Sequence, residues 1–289
     1  MKKFLAVFAL AALLAVSACN NNGAGQPADT STAETTGKKV TAVAFESEER
    51  PDTTEDALKY LEQNAPLYYN YLKLRRSVPL TLEATTTSGD ETIFSGLYIK
   101  DKNNIAQYSK SSSGVEKTVL YMTDKAYEIN HTTKTVYTFD CGAEDVEIMY
   151  KSLSLAVIYL DDVMASTYAT DTAEYEGTEY DRVAITSRPD PNQEMSDTNS
   201  VTSYHYFDKS SGSIAYTITE SGENRSVSKI ERFENAFDND SIFTVPSDYE
   251  QKTYEDLLAQ YRNDDTAMRE EFEAAQREAE QAAQSQTAE

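Results

Sequence analysis

The chain has 289 residues, 39% of them hydrophobic, with 20 Tyr and no Trp, and its 49 acidic against 26 basic side chains give a formal charge of −23. That is enough apolar material for one real core, and the length sets an expectation of one or two domains. So much negative charge excludes a nucleic-acid partner, which needs a basic face, and argues against electrostatic adhesion to anionic lipid; solubility accounts for it.

Lys2 and Lys3 precede an apolar run from Phe4 to Val16, which reads as a leader too short to span a bilayer comfortably. Val16-Ser17-Ala18-Cys19 then resembles a bacterial lipobox. That resemblance implies a signal peptide over residues 1–18 and Cys19 as the acylated N-terminus of an extracytoplasmic, membrane-anchored protein; two or more acyl chains make such an anchor stable. Residues 19–50 form a tether rich in Asn, Gly, Thr, Ser and Glu that cannot bury enough apolar surface to fold. As a coil of roughly thirty residues it holds a domain about 30 Å from the membrane.

A domain is expected over 51–252. Pro51 to Arg76 reads as a helix with Thr53 or Thr54 as cap, Leu58, Leu61, Ala65, Tyr68 and Leu72 on one face, and a kink or split at Pro66. Six short alternating strands follow between Val78 and Phe139, separated by polar turns, as in antiparallel hairpins. Asp140 to Ser166 reads as one helix. Val146, Met149, Tyr150, Leu153, Val157, Leu160 and Met164 make one stripe, and Leu155, Ile158 and Tyr159 face the other way. A helix apolar all round needs cover on both sides. A sheet supplies one; a second helix, a partner or an apolar ligand must supply the other. Five more strands run from Thr172 to Phe233, with a polar loop at Pro189 to Ser200, and a closing segment spans Phe237 to Tyr249. Residues 253–289 read as a C-terminal helix that docks through Tyr254, Leu257, Leu258 and Tyr261 and then becomes a polar tail. The fold class is therefore α+β: a strongly curved antiparallel sheet of about eleven strands, unclosed because so large an open sheet curls, with helices plugging its concave face.

Catalytic signatures are missing. His131 and His205 are the two histidines, and there is no G-x-S-x-G, H-E-x-x-H, C-x-x-C or glycine-rich phosphate loop, so no enzyme, cofactor or metal is implied. Asp238-Asn239-Asp240 and Asp190-Pro191-Asn192 offer oxygens for calcium but lack the glycine and terminal glutamate of an EF-hand loop. Cys141 has no disulfide partner once Cys19 is acylated, and reads as a small semi-buried residue.

Two motifs carry a family resemblance. Tyr206-Phe207-Asp208-Lys209-Ser210-Ser211-Gly212 is similar to the strand–turn–strand pattern F-D-x-x-[ST]-G, and Phe243-Thr244-Val245-Pro246-Ser247-Asp248-Tyr249 to the closing pattern F-x-[IV]-P-x-x-Y. Together, in this order, they resemble the LolA/LolB-like superfamily of lipoprotein carriers over about residues 53–252. That resemblance implies an unclosed barrel with helices in its mouth and an acyl chain or other apolar molecule bound there. The LolA-type carrier is soluble whereas this chain carries an anchor motif, so it resembles the lipidated relatives more. Met149, Leu153, Val157 and Leu160 of the central helix, with Leu61 and Tyr68 of the first helix, are the candidate cavity-lining residues. The expected ligand is a lipid or other apolar molecule; the competing expectation is an envelope scaffold or sensor that binds a protein partner.

Overall fold

The computed structural model describes residues 52–187, 200–222, 224–253, 255–257 and 259. The leader, Cys19 and the tether, most of the 188–200 loop and nearly all of the C-terminal tail lie outside the described residues.

Two helices open the domain, α1 (Thr54–Asn64) and α2 (Pro66–Arg75). The break falls where Pro66 withholds a backbone donor, and the proline then serves as the first residue of α2. Six strands follow: β1 (Leu80–Ser88), β2 (Glu91–Asp101), β3 (Asn104–Ser111), β4 (Glu116–Met122), β5 (Lys125–Asn130) and β6 (Thr135–Asp140). Helices α3 (Ala143–Leu153) and α4 (Leu160–Met164) interrupt the strands, which resume as β7 (Thr167–Tyr175), β8 (Thr178–Ser187), β9 (Val201–Asp208), β10 (Ile214–Ser221), β11 (Asn224–Glu234) and β12 (Glu250–Thr253).

All twelve strands belong to one unclosed, curved sheet, ordered β12-β6-β5-β4-β3-β2-β1-β11-β10-β9-β8-β7. Each meander is antiparallel, and β1 joins them by pairing β2 on one side and β11 on the other. The sheet matches the expected unclosed sheet of about eleven strands, with one addition: Glu250 to Thr253 pairs parallel with β6, at an edge.

Alternation along each strand sets the two faces. Leu80, Ile99, Ile105, Tyr121, Ala126 and Phe139 are register partners across β1 to β6 and share one apolar cluster with Val146, Met149, Tyr150 and Leu153 of α3. This is the inner face, the one that carries the helices. Over the second meander it meets α1 and α2, whose Ala57, Leu61, Tyr68 and Leu72 pack with Val163, Val183, Phe207 and Ile214. On the outer face the closing segment lays Phe237, Ile242, Phe243, Val245 and Tyr249 over Tyr98, Ala106, Leu120, Ile129 and Val136. The sheet core is thus sandwiched over the first meander and helix-covered over the second.

The single helix expected from Asp140 to Ser166 is two helices with an irregular segment between them. Helix α3 stops in a Schellman motif: Ala156 N–H donates to the Lys151 carbonyl at 2.9 Å and Leu155 N–H to that of Ser152 at 3.3 Å. Leu155 sits at φ +55, the left-handed position glycine usually takes. The Ser154 hydroxyl also donates to the Tyr150 carbonyl at 2.6 Å. The expected stripe therefore ends at Leu153, and Met164 is 58% exposed.

Candidate ligand-binding site

The inner face holds two apolar clusters, one under α3 and one under α1–α2, and Ile230 and Phe233 of β11 pack against both. The six candidate residues divide between them. Met149 and Leu153 are buried in the first; Leu61 and Tyr68 are buried in the second, where Leu160 is partly buried. Val157 belongs to neither and is half-buried.

Residues 154–160 cross between the clusters. Leu155, Ala156, Val157, Ile158, Tyr159 and Leu160 are six apolar residues in succession, and every one of them is half-buried. Backbone bonds at the two ends of the segment satisfy the Leu155 and Ala156 N–H groups and the Tyr159 carbonyl, and side chains at the ends of the first helical pair partner other backbone groups here. Arg75 Nη2 donates to the Leu153 carbonyl at 3.1 Å and Arg76 Nη2 to that of Ala156 at 2.9 Å. Ile158 N–H donates to Thr54 Oγ1 at 3.0 Å and Leu160 N–H to Thr53 Oγ1 at 2.8 Å. The two threonines expected to cap α1 thus spend their hydroxyls on a segment a hundred residues away, and Asp52 accepts the Thr54 N–H instead, at 3.0 Å.

Next to these clusters the inner face turns polar. Lys117 and Glu128 form an ion pair at 3.1 Å, their side chains 16% and 6% exposed. Thr86 and Ser228 share a hydrogen bond at 2.8 Å, and in the same row of the sheet Thr217 meets His205 Nδ1 at 3.3 Å. His205 is 1% exposed, and its ring lies 4.8 Å from Tyr68 and 6.1 Å from Tyr71 of α2. Burial pushes its pKa down to about 3, so the imidazole is neutral. Among the described residues, Arg75 Nε, Arg76 Nε and His205 Nε2 are the buried side-chain polar atoms without a hydrogen-bond partner. A buried unsatisfied donor costs about 1–3 kcal/mol, so three at one helix call for an explanation.

Sequence reasoning overlooked Arg75, Arg76 and Tyr71, and weighed His205 only as a catalytic residue. A signal was there: Tyr68, Leu72 and Arg75 follow helical spacing, and His205 alternates with Tyr204 and Tyr206 while sharing its side of β9 with Phe207 and Ser203.

The remaining polar candidates have structural partners. Asp238 holds Arg232 and Asp240 holds Lys100, so the calcium oxygens proposed there are already paired with cations, and Asp190-Pro191-Asn192 lies outside the described residues. His131 bonds Thr118 at 2.8 Å and Tyr249 at 3.3 Å on the outer face, opposite His205, so the two histidines form no common constellation. Cys141 is buried, which raises its thiol pKa to about 11, with Asp145, Asp124 and Asp140 adding to the shift; it is a poor nucleophile. Asp208 folds the β9–β10 turn by accepting bonds from Ser210 and Ser211, with Gly212 at φ +69, so that motif is a turn-former.

No protein-family model matches the sequence, and no curated protein matches it. Solved structures similar to it include an uncharacterized conserved protein from Thermus thermophilus, at TM-score 0.37 and 9% identity over 69% of this chain and 98% of that one. LprF from Mycobacterium bovis aligns at TM-score 0.37 and 10% identity over 69% and 100% of the two chains. The lipoprotein LppX from Mycobacterium tuberculosis aligns at TM-score 0.36 and 8% identity over 64% and 99%. At such scores these likenesses carry no argument about what this chain binds.

Proposed function

We propose that this chain is a membrane-anchored extracytoplasmic lipoprotein that holds a lipid or other apolar ligand, non-covalently, against the inner face of its sheet. The observation that supports it is the run from Leu155 to Leu160. Six consecutive apolar side chains on irregular backbone, all half-buried, are a poor filler for a closed core and a poor surface for water. They line the join between two apolar clusters and are tied down by three long-range hydrogen bonds, an arrangement suited to the wall of a mouth. The lipobox at Val16 to Cys19 and the resemblance to the lipoprotein-carrier superfamily point the same way.

Native mass spectrometry of the protein extracted from membranes, beside a leader-intact Cys19→Ser variant, tests both halves. The expected result is an apolar adduct on both proteins, acylation of the wild type alone, and release of the variant from the membrane. An unmodified Cys19 overturns the anchor; an adduct-free protein that takes up no acyl probe overturns the ligand.

A second reading, an envelope scaffold or sensor that binds a protein, rests on the outer face of the second meander. Tyr175, Tyr180, Tyr206 and Tyr216 cluster there, with Tyr175 and Tyr216 4.8 Å apart and Arg182 5.0 Å from the Tyr204 ring, beside β7, whose outer edge is unpaired among the described residues. Tyr180, Tyr206 and Tyr216 are themselves buried, so it is that edge of β7, open to strand addition, that favours this reading.

A further inference from the structure

We propose that α2 and the strand beneath it form a socket for the polar head of an acyl ligand, in which Arg75 takes an oxyanion, a phosphate or carboxylate, and His205 a neutral acceptor such as an ester carbonyl. The inference rests on the ligand-binding reading above and names the class of ligand that reading leaves open.

Three observations converge. First, the unpartnered buried polar atoms among the described residues are Arg75 Nε, Arg76 Nε and His205 Nε2, all on α2, at its C-terminal cap or on the ring packed against it. A guanidinium Nε–H can only donate. His205 Nε2 also donates when Nδ1 accepts the Thr217 hydroxyl proton. The set therefore asks for an acceptor-rich group.

Second, Arg75 is a buried cation with no acid on it among the described residues. It is 4% exposed, and its bond to the Leu153 carbonyl leaves the Nε unused. In a chain of net charge −23, Lys100, Lys110, Lys117, Lys151, Arg182 and Arg232 all reach a carboxylate, yet Arg75 and Arg76 make no ion pair with any described residue. Asp52 lies close enough to feel the Arg76 charge, but its carboxylate accepts the Thr54 N–H. Leaving a buried guanidinium without an anion is costly unless a ligand supplies one, and a planar guanidinium matches phosphate and carboxylate oxygens well.

Third, the spacing fits an amphiphile. Tyr68, Leu72 and Arg75 lie on one stripe of α2, and seven residues of helix advance about 10 Å. His205 packs on both Tyr68 and Tyr71, so the oxyanion site stands about one to two turns from the His205 site, with the apolar segment 155–160 held alongside by Arg76. An anionic head, an ester and an acyl chain thus find a cation, an imidazole and an apolar wall along one face of α2.

Equilibrium titration with three probes tests the socket: lauroyl lysophosphatidic acid, monolaurin (the same ester and chain without the phosphate) and inorganic phosphate. The wild type is expected to bind the phosphorylated probe at least tenfold tighter than monolaurin and inorganic phosphate not measurably. Arg75→Gln should remove the preference while keeping monolaurin binding; Arg76→Gln should narrow it; His205→Phe should weaken both lipids alike and preserve it. Equal binding of the two lipids by the wild type overturns the socket and leaves the apolar-ligand reading standing, and needs no variant to fold. Failure of both lipids to bind sinks the underlying reading as well. Binding of inorganic phosphate as tightly as the lipid overturns the link between head group and chain.

Discussion

At the scale of single residues, the inner face carries two polar groups that burial makes consequential. Lys117 and Glu128 compensate each other at 3.1 Å. Removing one partner leaves a buried charge alone, whereas replacing both with apolar residues removes the problem. Glu128→Ala should therefore cost about 3–5 kcal/mol of unfolding free energy in urea, and the double change Lys117→Met with Glu128→Met far less. A single variant as stable as the wild type would show that the pair is solvated. His205 gives a pH signature. The folded chain holds it neutral down to about pH 3, while an unfolded histidine takes its proton near 6.5. The unfolded state binds more protons between those values, so stability falls as pH drops below 6.5, by at most about 1.4 kcal/mol per pH unit from this group. Denaturation between pH 5 and 7 should lose that slope in His205→Phe. His131, whose pKa desolvation also lowers against the pull of Glu116, should keep its smaller share in that variant. An unchanged slope in His205→Phe would contradict the burial account.

At the scale of elements, the segment between α3 and α4 is the one the sequence concealed. From Ala143 to Glu176 there is no glycine or proline, so the helical spacing of apolar residues runs on through Ser154 without a stop signal. The stop is made instead by a leucine in a glycine conformation, by bonds donated from Arg75 and Arg76 and by bonds accepted at the Thr53 and Thr54 hydroxyls, partners that only the tertiary fold brings near. The split at Pro66 was legible because proline acts locally. These bonds make the segment separable from the core. In the double variant Thr53→Ala with Thr54→Ala, the amides of Ile158 and Leu160 should exchange with solvent at least tenfold faster, while those of β1 to β5 keep their protection. Uniform loss of protection across the sheet would show instead that the segment and the core open together.

At the scale of the molecule, the eleven antiparallel strands were readable because short runs of strand-forming residues are bounded by polar turns, with clear alternation in some, as in Leu80, Leu82 and Ala84. The twelfth escaped because Glu250-Gln251-Lys252-Thr253 is wholly polar and pairs at an edge. The six cavity candidates could not be sorted by periodicity, since helical spacing says which residues share a face and not which cluster that face meets. The fold divides them between two clusters and leaves Val157 at the join. A sheet with helices on one face, a strap of closing segment on half of the other and a tyrosine-rich patch on the rest offers two distinct surfaces, and the proposed ligand lies on the first. Photolabelling with an alkyl-diazirine fatty acid, followed by peptide mapping, distinguishes them most directly. The expected result is saturable labelling, competed by unlabelled lipid, within residues 149–160 and 61–76. Labelling that does not saturate, or that falls on Tyr175, Tyr204 and Tyr216 of the outer face, would contradict it.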